Sequence, residues 1–478
     1  MKIRKSIIIL TALALFLMGC KQKAKEAKMT GPSGEIEVNI LAVNDMHSSI
    51  DQFPKFATMV DSLRTVYPDL LVFSAGDNRT GNPVNDQFDP VNYPMIALMN
   101  EVGFDVSAVG NHEWDANVGP LQNDIERAHF PFLCANVFIP ETLNLDIKPY
   151  VMLENQGIKL AVVGMIEVRH DDIPGTHPDN LTKVRFKNAK FVLPDYKYLK
   201  KQSNAVILLS HCGFEDDMEL AQANPWLDAI IGGHSHTLVE NPSETHGVLI
   251  TQSGSHLKHA TLVTLKFKDG KLIKKSAKVL NVNGVRRPKP EVKKMLDEFN
   301  DAPALNEAIA TALTKFENPE EIGCMMTDAF REVSGADFAF QNTGGVRVNY
   351  LKKGPITVKD VYSMDPFNNE IVVFQMTGSQ VKHFILNSYR KNGGYPSYVS
   401  GMNYMVSDDG KNVWVEMDGA QFSTKTTYKV AFNSYMASTI DVRSVDDGQS
   451  TFKTSEEMII EFLKRQKTVD YQGVSRTR

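Results

Sequence analysis

The chain has 478 residues, a formal net charge of −5, and ordinary apolar and charged fractions of 42% and 23%. That length exceeds one ordinary core and predicts two domains, three at most, while the composition excludes a disordered or fibrous chain. The charge argues against binding a nucleic-acid polymer, which needs a clustered basic face.

Lys2, Arg4 and Lys5 precede an apolar run over residues 7–18 that is short for a bilayer span, the pattern of an export signal. Its end, Leu17-Met18-Gly19-Cys20, resembles the bacterial lipobox. The expectation is a signal peptide over 1–20, lipidation at Cys20, a membrane anchor through that lipid, and a Lys- and Ala-rich tether over 21–34. The protein would then face the periplasm or the cell surface. From 35 to 283, strand-like runs alternate with amphipathic helical stretches. The strands are expected over 38–43, 70–73, 106–109, 206–209 and 229–231, and the helices over 56–66, 93–102 and 120–128. Alternation of this kind predicts an α/β fold with helices covering sheet. Residues 260–267 and 272–273, separated by Lys268-Asp269-Gly270-Lys271, read as a hairpin. Residues 284–302 concentrate Pro, Gly and charge before a short helix and read as a linker. A second domain of mixed segments occupies 303–478. Cys134, Cys212 and Cys324 have no paired spacing and predict no disulfide framework. Cys212, beside His211, reads as a small buried packing residue in preference to a thiolate ligand.

Each of the five strand-like runs ends in a short polar cluster: Asp45-x-His47, Gly76-Asp77, Gly110-Asn111-His112-Glu113, Ser210-His211 and Gly233-His234-x-His236. Eleven of the twelve histidines precede Ala260, so the first domain holds this chemistry. Ligands of an open α/β sheet gather beyond the carboxyl ends of its strands, so the five clusters are aimed at one crevice. Taken singly, Asp45 reads as a helix cap, Asp77 as a turn residue, and His234 and His236 as loop residues. Five such accidents in succession are not credible, and the set reads as a metal site. Mixed Asp, Asn and His suit zinc, manganese, iron or a similar ion, not a calcium cage. Asp45, His47, Asp77, Asn111, His211, His234 and His236 make seven ligands, enough for two divalent ions sharing one carboxylate.

The order of these motifs resembles the calcineurin-like metallophosphoesterases, and residues 95–115 (MIALMNEVGFDVSAVGNHEWD) resemble their secreted 5′-nucleotidase branch. One departure is Ser48, where a glycine is common. The resemblance implies a four-layer β-sandwich flanked by helices, followed by a smaller mixed α/β substrate-binding domain. It assigns Asp45, His47, Asp77 and His236 to one ion and Asp77, Asn111, His211 and His234 to the other, with metal-bound hydroxide as nucleophile. His112, oriented by Asp115, would stabilise the phosphoryl transition state or assist the leaving oxygen. Chemistry agrees: a carboxylate partner favours the cationic imidazole that offsets phosphoryl charge. The alternative for His112 is an eighth ligand.

In the second domain, Asn342-Thr343-Gly344-Gly345-Val346-Arg347, Asp365-Pro366-Phe367-Asn368-Asn369 and Met376-Thr377-Gly378 resemble the 5′-nucleotidase substrate domain. Gly344 and Gly345 permit close backbone approach, and the Arg347 fork suits phosphate. Arg390 is a second cationic candidate, and Asn111 would also touch substrate. Tyr395 or Tyr398 would stack on a base, although Pro396 occupies the usual offset. A second aromatic motif of the family is missing after Asn433-Ser434-Tyr435-Met436-Ala437, where Ser438-Thr439-Ile440-Asp441-Val442 follows. The expected activity is hydrolysis of extracytoplasmic nucleotides, chiefly 5′-nucleotides. The alternatives are a 2′,3′-cyclic nucleotide phosphodiesterase, a nucleotide-sugar hydrolase, a sulfur-ester hydrolase, or a non-enzymatic binding lipoprotein. A linker between metal and substrate domains further suggests rotation between them.

Overall fold

In chain order, strands Glu35–Val43, Leu71–Ser74, Val106–Ala108 and Phe132–Leu133 pair in parallel and form one side of a six-stranded sheet. Its other edge is the antiparallel hairpin His259–Lys268 and Lys271–Asn281. A second six-stranded sheet has Ile158–Ile166, Ala205–His211, Ala229–Ile231 and Val248–Thr251 in parallel, with antiparallel edges Tyr150–Asn155 and Ser243–Thr245. This computed structural model describes residues 33–169, 172–417, 421–439 and 448–477. The expected signal peptide and most of the expected tether, Cys20 included, lie outside the described residues. Among those described, no helix is long and apolar enough to cross a membrane.

The two-residue period of a strand sends alternate side chains to opposite faces. Val38, Ile40 and Ala42 therefore meet Leu160, Val162, Ile207 and Leu209 in a core between the two sheets. Leu41 and Val43 face the other way, against Phe56, Val60, Met95 and Met99. On the far side, Val163, Val206 and Leu208 pack on Leu193, Leu199 and Leu220. Helix, sheet, sheet and helix make four layers, as the family resemblance implied. The picture of one open sheet is corrected here: three of the five motif-bearing strands lie in one sheet and two in the other. Apolar runs alone do not tell which strands share a sheet.

Helix Tyr93–Val102 matches its expected bounds, and helices Phe53–Val66 and Val118–Arg127 start two or three residues early. Within the stretch read as linker, helix Pro290–Phe299 buries Val292 and Leu296 in the first domain's core, and the Lys289 N–H donates to the Pro54 carbonyl at 2.8 Å. The second domain centres on a five-stranded sheet ordered Tyr398–Ser400, Phe338–Gln341, Thr427–Asn433, Glu370–Thr377, Gln449–Thr454. Helices Pro319–Ser334 and Ser455–Gln466 cover one face and Gly378–Lys391 the other.

Candidate metal centre and interdomain cleft

All five clusters sit at the carboxyl ends of their strands, and the tight turns there take unusual backbone. Asp45, His47, Asp77, His234 and His236 have φ between 46° and 77°, a left-handed region that non-glycine residues rarely adopt. Strain of this kind concentrates where a function fixes side-chain direction. A Cβ on Gly110 would stand 2.6 Å from the Asp77 nitrogen and 2.8 Å from His211 Nε2, so only glycine lets these two ligands close in.

The ligand atoms converge in two overlapping groups. His47 Nε2 lies 2.9 Å from His236 Nε2, and His236 Nε2 lies 3.4 Å from Asp45 Oδ1. Asp77 Oδ2 lies 3.1 Å from His211 Nε2 and 4.0 Å from His47 Nε2. Asn111 Oδ1 is 3.2 Å from His211 Nε2 and 3.0 Å from His234 Nδ1. Two donors bound to one ion at about 2.1 Å stand roughly 3 Å apart, so these separations fit shared cations. Surrounding bonds aim the donors. The Nδ1–H of His47 donates to the Thr80 carbonyl at 3.1 Å and that of His211 to the Ala75 carbonyl at 2.7 Å, leaving both Nε2 lone pairs for metal. The Asn111 amide donates to the Gly175 carbonyl at 3.1 Å, which turns its oxygen inward. The sequence-read ligands are thus all brought together, with Asp77 between the two groups. Cys212 is buried and outside every such donor group among the described residues.

Electrostatics agree with a cation site. Burial holds His47 and His234 neutral, His234 down at about 4, as metal ligation requires. Burial also opposes charge on His211, yet Asp77 and Asp45 override it and raise its pKa to about 10. The two carboxylates thus attract positive charge to this spot, a role that a divalent ion takes over on binding.

His112 Nδ1 lies 2.5 Å from Asp115 Oδ2, and Nε2 lies 3.9 Å from Asp77 Oδ2. Asp115 is itself held by the Thr176 hydroxyl at 2.9 Å and, through its carbonyl, by the Asn180 amide at 2.9 Å. Burial opposes a charge on His112, but Asp115 and Asp77 outweigh it and raise its pKa.

Next to His112 opens a cleft of ≈ 200 Å³ between the domains. His112, Asp115, Thr176 and Asn180 line it from the first domain. Asn342, Gly344, Gly345, Arg347, Phe367 and Tyr435 line it from the second. The Phe367 ring stacks on His112 at 6.0 Å and lies under the Arg347 guanidinium at 5.6 Å, and Arg169 donates to the Tyr435 hydroxyl at 3.0 Å. Arg347, Gly344 and Gly345 are therefore at the cleft. Arg390, Tyr395 and Tyr398 do not line it: Arg390 donates to the Gly410 carbonyl at 3.2 Å, Tyr395 is 69% exposed, and Tyr398 is buried against Gly323.

Residues 38–238 match the family model of the calcineurin-like phosphoesterases, and residues 304–444 match that of the 5′-nucleotidase C-terminal domain. The chain belongs to the calcineurin-like phosphoesterases that end in a 5′-nucleotidase domain. This phosphoesterase is 28% identical over 474 residues to protein UshA of Yersinia enterocolitica, spanning 84% of this chain and 85% of that one. It is 27% identical over 509 residues to a 5′-nucleotidase of Vibrio parahaemolyticus, spanning 90% and 89%. It shares its fold with the solved 5′-nucleotidase precursor of Thermus thermophilus, at a TM-score of 0.80 and 22% identity over 93% of this chain and 99% of that one. Metallophosphoesterases of this type use two divalent ions, and the donor set described above fits them.

Sequence reasoning left several of the phosphoesterase's site residues without a role. Phe367 sat inside a quoted motif, Asp365-Pro366-Phe367-Asn368-Asn369, and the motif was its signal. Tyr435 likewise sat inside a quoted segment, Asn433-Ser434-Tyr435-Met436-Ala437, which the sequence matched to a strand but which after Asn433 is the helix Ser434–Thr439. Thr176, in a bend, and Asn180, in the short 3-10 helix Pro178–Leu181, have proximity as their only signal, which a sequence does not contain.

Proposed function

We propose that this chain is a metal-dependent 5′-nucleotidase acting outside the cytoplasm, exported by the signal over residues 1–20 and anchored through Cys20. One observation supports it above others: Arg347 of the second domain and His112 of the first flank the same Phe367 ring, at one cleft beside the ligand cluster. A phosphate group in that cleft meets cationic groups from both domains.

Two divalent ions, bound by Asp45, His47, Asp77, His236 and by Asp77, Asn111, His211, His234, would neutralise phosphoryl oxygens and lower the pKa of a water. The remaining work falls to side chains. Arg347 binds the phosphate through its planar fork. Asp115 accepts a hydrogen bond from His112 Nδ1–H and fixes the ring as the cation, so that Nε2–H points toward the metal-facing side of the cleft. From there Nε2–H stabilises charge on the phosphoryl group and hands its proton to the departing ester oxygen. Phe367 and Tyr435, the latter held by Arg169, form part of the cleft wall on which the substrate rests. The nucleoside would extend past Asn342, Asn369 and Tyr435.

Phosphate release from AMP, UMP, a nucleotide sugar, a 2′,3′-cyclic nucleotide and an aryl phosphate, with Mn²⁺ and with EDTA, tests this reading. Metal-dependent release from AMP that His112→Ala lowers about 10²-fold or more supports it. Turnover of the aryl ester without AMP would move the substrate elsewhere, and silence on every ester would end the enzymatic reading.

A further inference from the structure

Beside the centre stands an imidazole with no part in the chemistry above. His256 lies in the turn after strand Val248–Thr251, within Gln252-Ser253-Gly254-Ser255-His256. Its φ of 57° is left-handed, so the turn bends sharply to deliver it. The His256 N–H donates to the Asp45 carbonyl at 2.8 Å. Its ring lies 5.3 Å from that of His47, tilted 36°, and 6.1 Å from that of His236, edge-on at 88°. One residue thus bonds the backbone of Asp45 and packs its ring beside those of His47 and His236, the three residues whose side-chain donor atoms converge within 4.8 Å. His256 is not itself in that converging set, and its Nδ1 lies 2.9 Å from Ser255 Oγ.

The three ligands are unequally held. Asp45 and His47 side chains are 0% and 1% exposed, while that of His236 is 36% exposed. An exposed imidazole loses rotamer freedom when it binds a metal, a cost removed in advance if a neighbouring ring already fixes it. Aromatic faces and edges packed at these distances have that effect. We propose that His256 is a positioning residue for the ion held by Asp45, His47, Asp77 and His236, and that its ring sets the affinity of that ion more than that of the one held by Asp77, Asn111, His211 and His234. The inference rests on the two-ion reading of the centre, which uptake by the unaltered chain tests separately.

The test is equilibrium dialysis of the full chain, His256→Ala and His256→Phe against a buffered series of free Mn²⁺, counting manganese per chain by plasma mass spectrometry. The unaltered chain should take up two ions. His256→Ala should keep one uptake step and weaken the other by about 10–100-fold, while His256→Phe, which keeps a ring but no nitrogen, should stay within about threefold. The retained step shows that the Ala variant is folded. Unchanged uptake by His256→Ala overturns the proposal. Equal weakening in Ala and Phe also overturns it, because the nitrogen would then be a ligand. Fewer than two ions on the unaltered chain would instead reject the two-ion reading itself.

Discussion

Glu113 shows how a residue can matter to the metal centre without touching metal. It is 2% exposed, and its carboxylate accepts the backbone N–H of Asp77 at 3.0 Å, Asn78 at 2.7 Å and Gly110 at 2.6 Å. Two ligand-bearing turns from neighbouring strands are thereby tied to one side chain. Glu113→Ala leaves three buried donors without a partner, each worth about 1–3 kcal/mol, so urea unfolding should show a loss of roughly 3 kcal/mol or more. A loss under about 1 kcal/mol would mean that water replaces the carboxylate. Asp115→Asn removes the anion beside His112 Nδ1 and should lower kcat by about 10²-fold or more with a smaller change in KM, which steady-state kinetics on AMP would read. The convergence of the seven candidate ligands was legible in the sequence because each stands at, or just past, the end of its strand. The roles of Glu113, His256 and Phe367 were not, since most of their partners come from loops that meet only after folding.

At the level of elements, the sandwich depends on how closely its sheets approach. Strand Ile158–Ile166 comes close to the first sheet at Gly164, where a Cβ would run into the backbone of Leu133, and the Ala135 N–H donates to the Gly164 carbonyl at 2.8 Å. Gly164→Val should force the strands apart and cost about 1–3 kcal/mol or more, seen as a lower Tm, whereas an unchanged Tm would show that the sheets can part freely. Strand and helix positions were legible from apolar periodicity because burial imposes periods of two and 3.6. Membership of sheets was not, since a central strand buried on both faces reads the same in either. The helix Pro290–Phe299 was legible as a helix, but the partner of its apolar stripe was not: a stripe shows that something covers it, and only the fold shows that helix Phe53–Val66 does.

For the whole molecule, the loop that brings Phe367 to His112 is anchored on buried acid. The Asn368 N–H donates to Glu456 Oε1 at 2.7 Å, and the Gln341 amide donates to Asp365 at 3.4 Å. Burial, and then the neighbouring Asp365 carboxyl, pushes Glu456 up to about 8, while burial also raises Asp365. In the unfolded chain Glu456 titrates near 4.3, so between roughly pH 4 and 8 the folded form binds the extra proton. Stability is then fully present at the acid end of that window and falls as pH rises, by up to about 1.4 kcal/mol per unit for this group. Tm measured from pH 5 to 8 should decline, and Glu456→Gln should flatten the decline; an equal slope in both proteins would assign it to other carboxyls. The two-domain division was legible from length and from the cluster of Pro, Gly and charge, but the closed contact between the domains was not, because no local pattern encodes which loops dock. Those loops divide the cleft: the converging donors all precede residue 238, while about half of the cleft wall comes from beyond residue 340. If the proposed roles hold, mutations in the later part would redirect which ester is admitted while leaving the donors of the first part intact. A lineage built this way can drift from one phosphoester to another without passing through an inactive ancestor.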